Sequence, residues 1–260
     1  VIPALSVILK ALTEPGDKVI LQTPVYNCFF AVLERTGRQP LANPLIDEGG
    51  AYRMDFEDLE RKAADPQAKL IFLCNPHNPA GRAWTAEELT RLGEICLRHG
   101  VTVISDEIHC DLTLDGHRHI PFASLNEEFL RHSVTCTAPS KTFNIAGLCC
   151  SFAVIPNARL RLKLQQAMRG ISADVNLLGF VAAEAAYEGG EQWLNEQLDY
   201  LAGNLALIEQ AVARWPGVKL ARNQATYLAW IDMSALGLDD PVAFFEQAGV
   251  GLSPGAQFGN

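Results

Sequence analysis

Short continuous apolar runs alternate along this chain with segments whose apolar residues recur at helical spacing. Residues 4–13 have that spacing and meet a stop at Pro15-Gly16-Asp17. KVILQ (18–22) reads as a buried strand, and 27–36 as a helix with Gly37 just past its end. Asp55 opens a short helix at 56–64. KLIFLC (69–74) is apolar without interruption, the pattern of a strand covered on both faces. Thr85-Ala86-Glu87-Glu88 is a capping box, and Leu89, Leu92, Ile95 and Cys96 give the helix behind it one apolar face up to Gly100. VTVIS (101–105), SVTCT (133–137) and CCSFAVI (149–155) read as further buried strands.

Strands alternating with helices predict an α/β fold, a mostly parallel sheet with helices on both faces. A long helical stripe then runs through 191–214, marked by Trp193, Leu194, Leu198, Leu201, Leu205, Ile208 and Val212. Beyond it a strand at 226–232 (TYLAWID) and a short helix near 241–248 change the character of the chain. The expected organisation is a large domain over 1–190, a connecting helix over 191–214, and part of a smaller C-terminal α+β domain over 215–260. Val1 in place of Met and the turn-like ending Phe258-Gly259-Asn260 read as the ends of a piece of a longer protein.

Composition narrows the function without naming it. Of 260 residues, 48% are hydrophobic and 20% charged, as in an ordinary soluble globular protein. The net charge of −9 argues against nucleic acid or an anionic membrane as the main partner. The seven cysteines include no CxxC pair, and several sit in apolar runs, which fits buried reduced thiols and a cytoplasmic location. No signal peptide and no apolar run of membrane-crossing length is visible.

In an open α/β sheet, ligands bind beyond the carboxyl ends of the strands. Three apolar strands lead at once into polar loops: KLIFLC into Asn75-Pro76-His77-Asn78-Pro79-Ala80-Gly81-Arg82, VTVIS into Asp106-Glu107-Ile108-His109, and SVTCT into Ala138-Pro139-Ser140-Lys141-Thr142. The topology brings Asn78, Asp106 and Lys141 to one rim. Singly, each has a plain structural reading: a turn former, a turn cap, a solvated lysine. Together they answer the needs of pyridoxal phosphate. Its aldehyde forms a Schiff base with a lysine amine. Its pyridine nitrogen needs a carboxylate, and its ring hydroxyl a donor. Its ring face takes an aromatic partner, and its phosphate takes hydroxyls and free amides at a helix start.

The segments NPHNPAGR, SDEIH and APSKTFN, in this order, resemble the class I/II aminotransferase family of pyridoxal-phosphate enzymes. SDEIHCDL and APSKTFNIAGL, with TPVYNCFF upstream and ATYLAWIDM downstream, resemble its cystathionine β-lyase-like branch, the C–S lyases. The resemblance implies that Lys141 holds the cofactor and then moves the Cα proton, Asp106 pairs with the pyridine nitrogen, and Asn78 bonds the ring hydroxyl. It implies that Tyr26 stacks on the ring, and that Ser140 and the amides of Val1 and Ile2 help bind phosphate. His109 stands where many aminotransferases of the family carry a tyrosine and the lyase branch carries a histidine, which tilts the reading toward lyase. Implied with these are an amino-acid substrate and a homodimer with the active site at the subunit interface.

The chain also departs from the family pattern. Cys149 stands where an arginine is common, and Ala138 where a serine is common, so phosphate binding falls to Ser140, Thr142 and backbone amides. The family's C-terminal arginine, which clamps the substrate carboxylate, and its N-terminal arm have no match here. Three rivals are open at this point. One is transamination, which shares the Cα carbanion. Another is a metal hydrolase using Asp106, Glu107, His109, Asp111, His117 and His119, although no HExxH spacing occurs. The last is a regulatory or interaction protein that retains the fold.

Overall fold

The computed structural model describes residues 1–172 and 174–259, so Asn260 of the expected turn-like ending lies outside the described residues. The elements run α1 (Ile2–Leu12), β1 (Lys18–Leu21), α2 (Cys28–Thr36), β2 (Gln39–Ala42), β3 (Ile46–Asp47), β4 (Tyr52–Arg53), α3 (Phe56–Ala63), β5 (Ala68–Cys74), α4 (Ala86–His99) and β6 (Thr102–Asp106). There follow α5 (Glu127–Arg131), β7 (Ser133–Thr137), α6 (Pro139–Thr142), β8 (Phe152–Val154), α7 (Ala158–Met168), α8 (Leu177–Gly189), α9 (Glu191–Val212), β9 (Lys219–Leu220), β10 (Ile231–Asp232) and α10 (Pro241–Gln247).

Among the described residues the central sheet has six strands in the order β2-β1-β5-β6-β7-β8. All neighbours pair in parallel except β7 and β8, which are antiparallel. Successive side chains of a strand point to opposite faces, and both faces of β1, β5, β6 and β7 are covered, which is why these four strands read as apolar runs. Ile71 and Leu73 join Leu59 of α3, Leu89 and Leu92 of α4, and Phe129 in one core. Leu70 and Phe72 join Leu5 and Ile8 of α1, Phe29 and Leu33 of α2, and Leu164 of α7 in the other.

The local signals are realised at several element ends. Asp55 caps α3 by accepting from the Asp58 amide at 3.0 Å. Thr85 Oγ1 accepts from the Glu88 amide at 3.2 Å while Glu88 Oε2 accepts from the Thr85 amide at 2.9 Å, completing the box. Gly37 and Gly100 end their helices in the left-handed conformation.

Two expectations change. CCSFAVI is not a buried strand: only Phe152–Val154 is extended, antiparallel to β7 at the end of the strand order among the described residues, and Phe152 and Val154 stand exposed because the sheet faces are not covered there. TYLAWID is strand only at Ile231–Asp232, and its first residue, Thr226, takes a φ of 71°, outside the strand region. Large apolar side chains of α8 and α9, among them Leu177, Leu178, Phe180, Val181 and Tyr200, stand exposed. No described helix is long and apolar enough to cross a membrane.

Candidate active site

Parallel pairing of β1, β5, β6 and β7 sets four strand ends side by side at one rim. The segments leaving them carry Tyr26, Asn78, Asp106 with His109, and Ser140 with Lys141. Asp106 is the last residue of β6 and pairs in register with Cys74 on one side and Cys136 on the other. The residue is 4% exposed, and its carboxylate accepts from the Ile108 amide at 3.2 Å. Burial pushes the carboxyl up to about 6, against the pull of that amide and of Lys141. A buried carboxylate this short of partners favours a cationic neighbour.

The adjacent Glu107 has a different task. It accepts from Ser105 Oγ at 2.8 Å and the Phe122 amide at 3.0 Å, and lies 2.9 Å from His119 Nε2. Asp111 likewise is held by the Thr142 hydroxyl at 2.8 Å. Among the described residues no group of three His, Cys, Asp or Glu side chains is placed to hold a metal ion. Thr142 is fully buried and spends its hydroxyl on Asp111, which removes it from the expected phosphate set.

Asn78 is 9% exposed, and its side-chain Oδ1 is buried without a hydrogen-bond partner. His109 is buried, its Nδ1 likewise lacks a partner, and its ring meets Tyr227 edge-on at 5.7 Å. Burial, with the Lys141 charge acting in the same sense, holds the imidazole neutral by bringing it down to about 4. Tyr26 is half-buried, edge-on to Phe29 at 5.8 Å. Burial, the contact with Cys28 and the charge of Asp106 drive its phenol well above the usual range. Lys141 and Ser140 are half-buried on the single turn of α6, where Pro139 opens the helix and Ala138 offers no side-chain cap. Lys141 Nζ sits over the Tyr227 ring, 5.8 Å from its centroid. Helix α1 also starts without a side-chain cap.

Tyr227 is the residue that sequence reasoning missed. It lies within the quoted ATYLAWIDM segment, but its closeness to His109 and Lys141 depends on how that segment folds back.

The donor set fits pyridoxal phosphate. A buried carboxylate suits a protonated ring nitrogen, orphaned polar atoms on Asn78 and His109 suit ring substituents, and uncapped helix starts suit a phosphate. An α/β sheet with such a rim defines an enzyme of the fold-type I pyridoxal-phosphate class. The chain belongs to the family "Aminotransferase class I and II", whose model matches residues 3–259. It is 48% identical to cystathionine beta-lyase PatB of Bacillus subtilis over 264 residues, covering 100% of this chain and 68% of the relative. Among solved structures it resembles cystalysin of Treponema denticola, which contains pyridoxal 5′-phosphate, with a TM-score of 0.95 and 33% identity over 99% of this chain and 67% of that one. It also resembles the pyridoxal-phosphate-bound C–S lyase of Staphylococcus hominis, with a TM-score of 0.91 and 35% identity over 99% and 66% of the two chains. The chain thus spans about two thirds of the length of these relatives.

Proposed function

We propose that this chain is the cofactor-binding part of a pyridoxal-phosphate-dependent carbon–sulfur β-lyase. It acts on cystathionine, cysteine or a cysteine S-conjugate and yields pyruvate, ammonia and a thiol. The observation that carries this is the single rim holding Lys141, a buried Asp106 and a neutral His109. Likeness to cystathionine beta-lyase PatB and to the C–S lyase of Staphylococcus hominis supports lyase over transaminase.

When bound, the cofactor supplies an aldehyde that joins an amine and a ring that spreads the negative charge of Cα. Lys141 would hold that aldehyde, and its Nζ, free when substrate is bound, would take the Cα proton as the Cβ–S electron pair leaves on sulfur. Asp106 would pair, ionised, with the ring nitrogen. Asn78 bonds the ring hydroxyl and Tyr26 covers the ring face. Ser140 and the first amides of α1, at Val1 and Ile2, hold the phosphate. His109, neutral and buried, lines the hydroxyl side without bringing a second positive charge.

The division into residues 1–190, the connecting helix 191–214 and a smaller domain from 215 belongs to the same proposal, as does a cytoplasmic location. All seven cysteines are free, which supports a reducing compartment. A homodimer is supported by the apolar surface left exposed on β8, α8 and α9.

Borohydride treatment of the cofactor-loaded, full-length protein tests the site. Mass spectrometry should find the cofactor fixed on the peptide that carries Lys141. Attachment at any other lysine would remove Lys141 from its role.

A further inference from the structure

Thr226 is fully buried and has a φ of 71°. A β-branched residue pays heavily for that left-handed conformation, which persists only where the surroundings force it. Here they do. The Gln224 and Ala225 amides donate to Gly81 O at 2.7 and 3.0 Å. Gln224 Oε1 accepts from Arg82 Nε at 3.0 Å and from the Ala83 amide at 3.2 Å. The Thr226 amide donates to Leu112 O at 2.7 Å, and the Leu114 amide to Gln224 O at 2.9 Å. Gly81, at φ 67°, leaves no room for a side chain: a Cβ there would lie 1.8 Å from Asn223 Oδ1. Residues 223–226 are therefore a strap tied to the loops after β5 and β6.

The next residue is Tyr227. It is 40% exposed, so core packing does not hold its ring. What the strap achieves is to set that ring under Lys141 Nζ at 5.8 Å and edge-on to His109 at 5.7 Å and 70°. An aromatic face attracts an ammonium through its quadrupole. We infer that Tyr227 is a positioning residue, delivered by the strap to steer the Lys141 amine and to fix the His109 ring. The role given to Lys141 rests on the function proposed above. The other groups facing Lys141 are the Asp106 carboxylate from β6 and the His109 imidazole after it, with Tyr26 beside Asp106 and Tyr227.

The test is the pH profile of Lys141 acylation in full-length, cofactor-free protein, read by competitive labelling and mass spectrometry. Tyr227→Leu should favour the uncharged amine by about two- to fivefold, the loss of one cation–π contact. Tyr227→Gln, a second variant, should do the same, and Tyr227→Phe should keep the wild-type profile. An unchanged profile in the Leu and Gln variants, or a Phe variant that shifts as far as Leu, would overturn the inference. Loading wild-type protein with pyridoxal phosphate should protect Lys141 from labelling. Failure of that protection would overturn the functional reading as well, whereas protection with no effect of Tyr227 would sink the positioning role alone.

Discussion

Asp106 and His109 are opposite cases of one effect. Burial disfavours charge, so it raises the carboxyl to about 6 and lowers the imidazole to about 4. His77, fully buried against Trp84, is likewise brought down to about 4. These shifts fix how stability should depend on pH in cofactor-free protein. A histidine whose pKa falls from 6.5 on folding lends stability that is complete above 6.5 and is lost as pH falls toward 4. Asp106 acts the other way: the native state holds its proton up to about 6, so its contribution grows as pH falls from 6 toward 3.8. Two histidines outweigh one aspartate, and denaturant unfolding should show stability falling between pH 6.5 and 4. Asp106→Asn should make that fall steeper and His109→Gln should make it shallower; an unchanged slope in both variants would mean that these groups are solvated. In catalysis, Asp106→Ala should retain some cofactor by visible absorbance yet lose most of the rate, on the order of a hundredfold or more. An unchanged rate would show that the ring nitrogen has another partner.

At the scale of elements, Glu88 is a hub. It closes the capping box of α4 and pairs with Arg82 Nη2 at 2.7 Å, and Arg82 in turn reaches Gln224 of the strap. Thr85→Ala removes only the cap and should cost about 1 kcal/mol. Glu88→Ala also takes the carboxylate partner from the half-buried Arg82, which keeps Gln224 and Tyr52 O, and should cost about 1–3 kcal/mol. Thermal melts that rank the two in the opposite order would contradict this wiring. The box was legible in the sequence because it is a four-residue pattern whose partners are all local. KLIFLC and SVTCT were legible because a strand covered on both faces leaves no polar position. The exposure of β8 was not, since an apolar run does not say whether other elements cover the two faces of the strand. Nor was Thr226, whose conformation comes from Gly81 and Leu112, more than a hundred residues away in sequence. Within the site, the residue types at strand ends pointed to Asn78, Asp106 and Lys141. The loss of Thr142 to Asp111 and the arrival of Tyr227 depend on tertiary contacts that no local pattern encodes.

For the whole molecule, large apolar side chains of β8, α8 and α9 stand exposed. If a second copy covers them, full-length protein should sediment at twice the chain mass, and Leu178→Glu with Val181→Glu should shift it toward monomer. A double variant that remains dimeric would place the contact elsewhere. The lyase reaction itself can be followed by incubating full-length protein with pyridoxal phosphate and L-cystathionine, with no keto acid present, and assaying pyruvate. Catalytic pyruvate release that disappears in Lys141→Ala is the expected result. No pyruvate, but amino-group transfer once a keto acid is supplied, would overturn the lyase assignment and make the protein an aminotransferase.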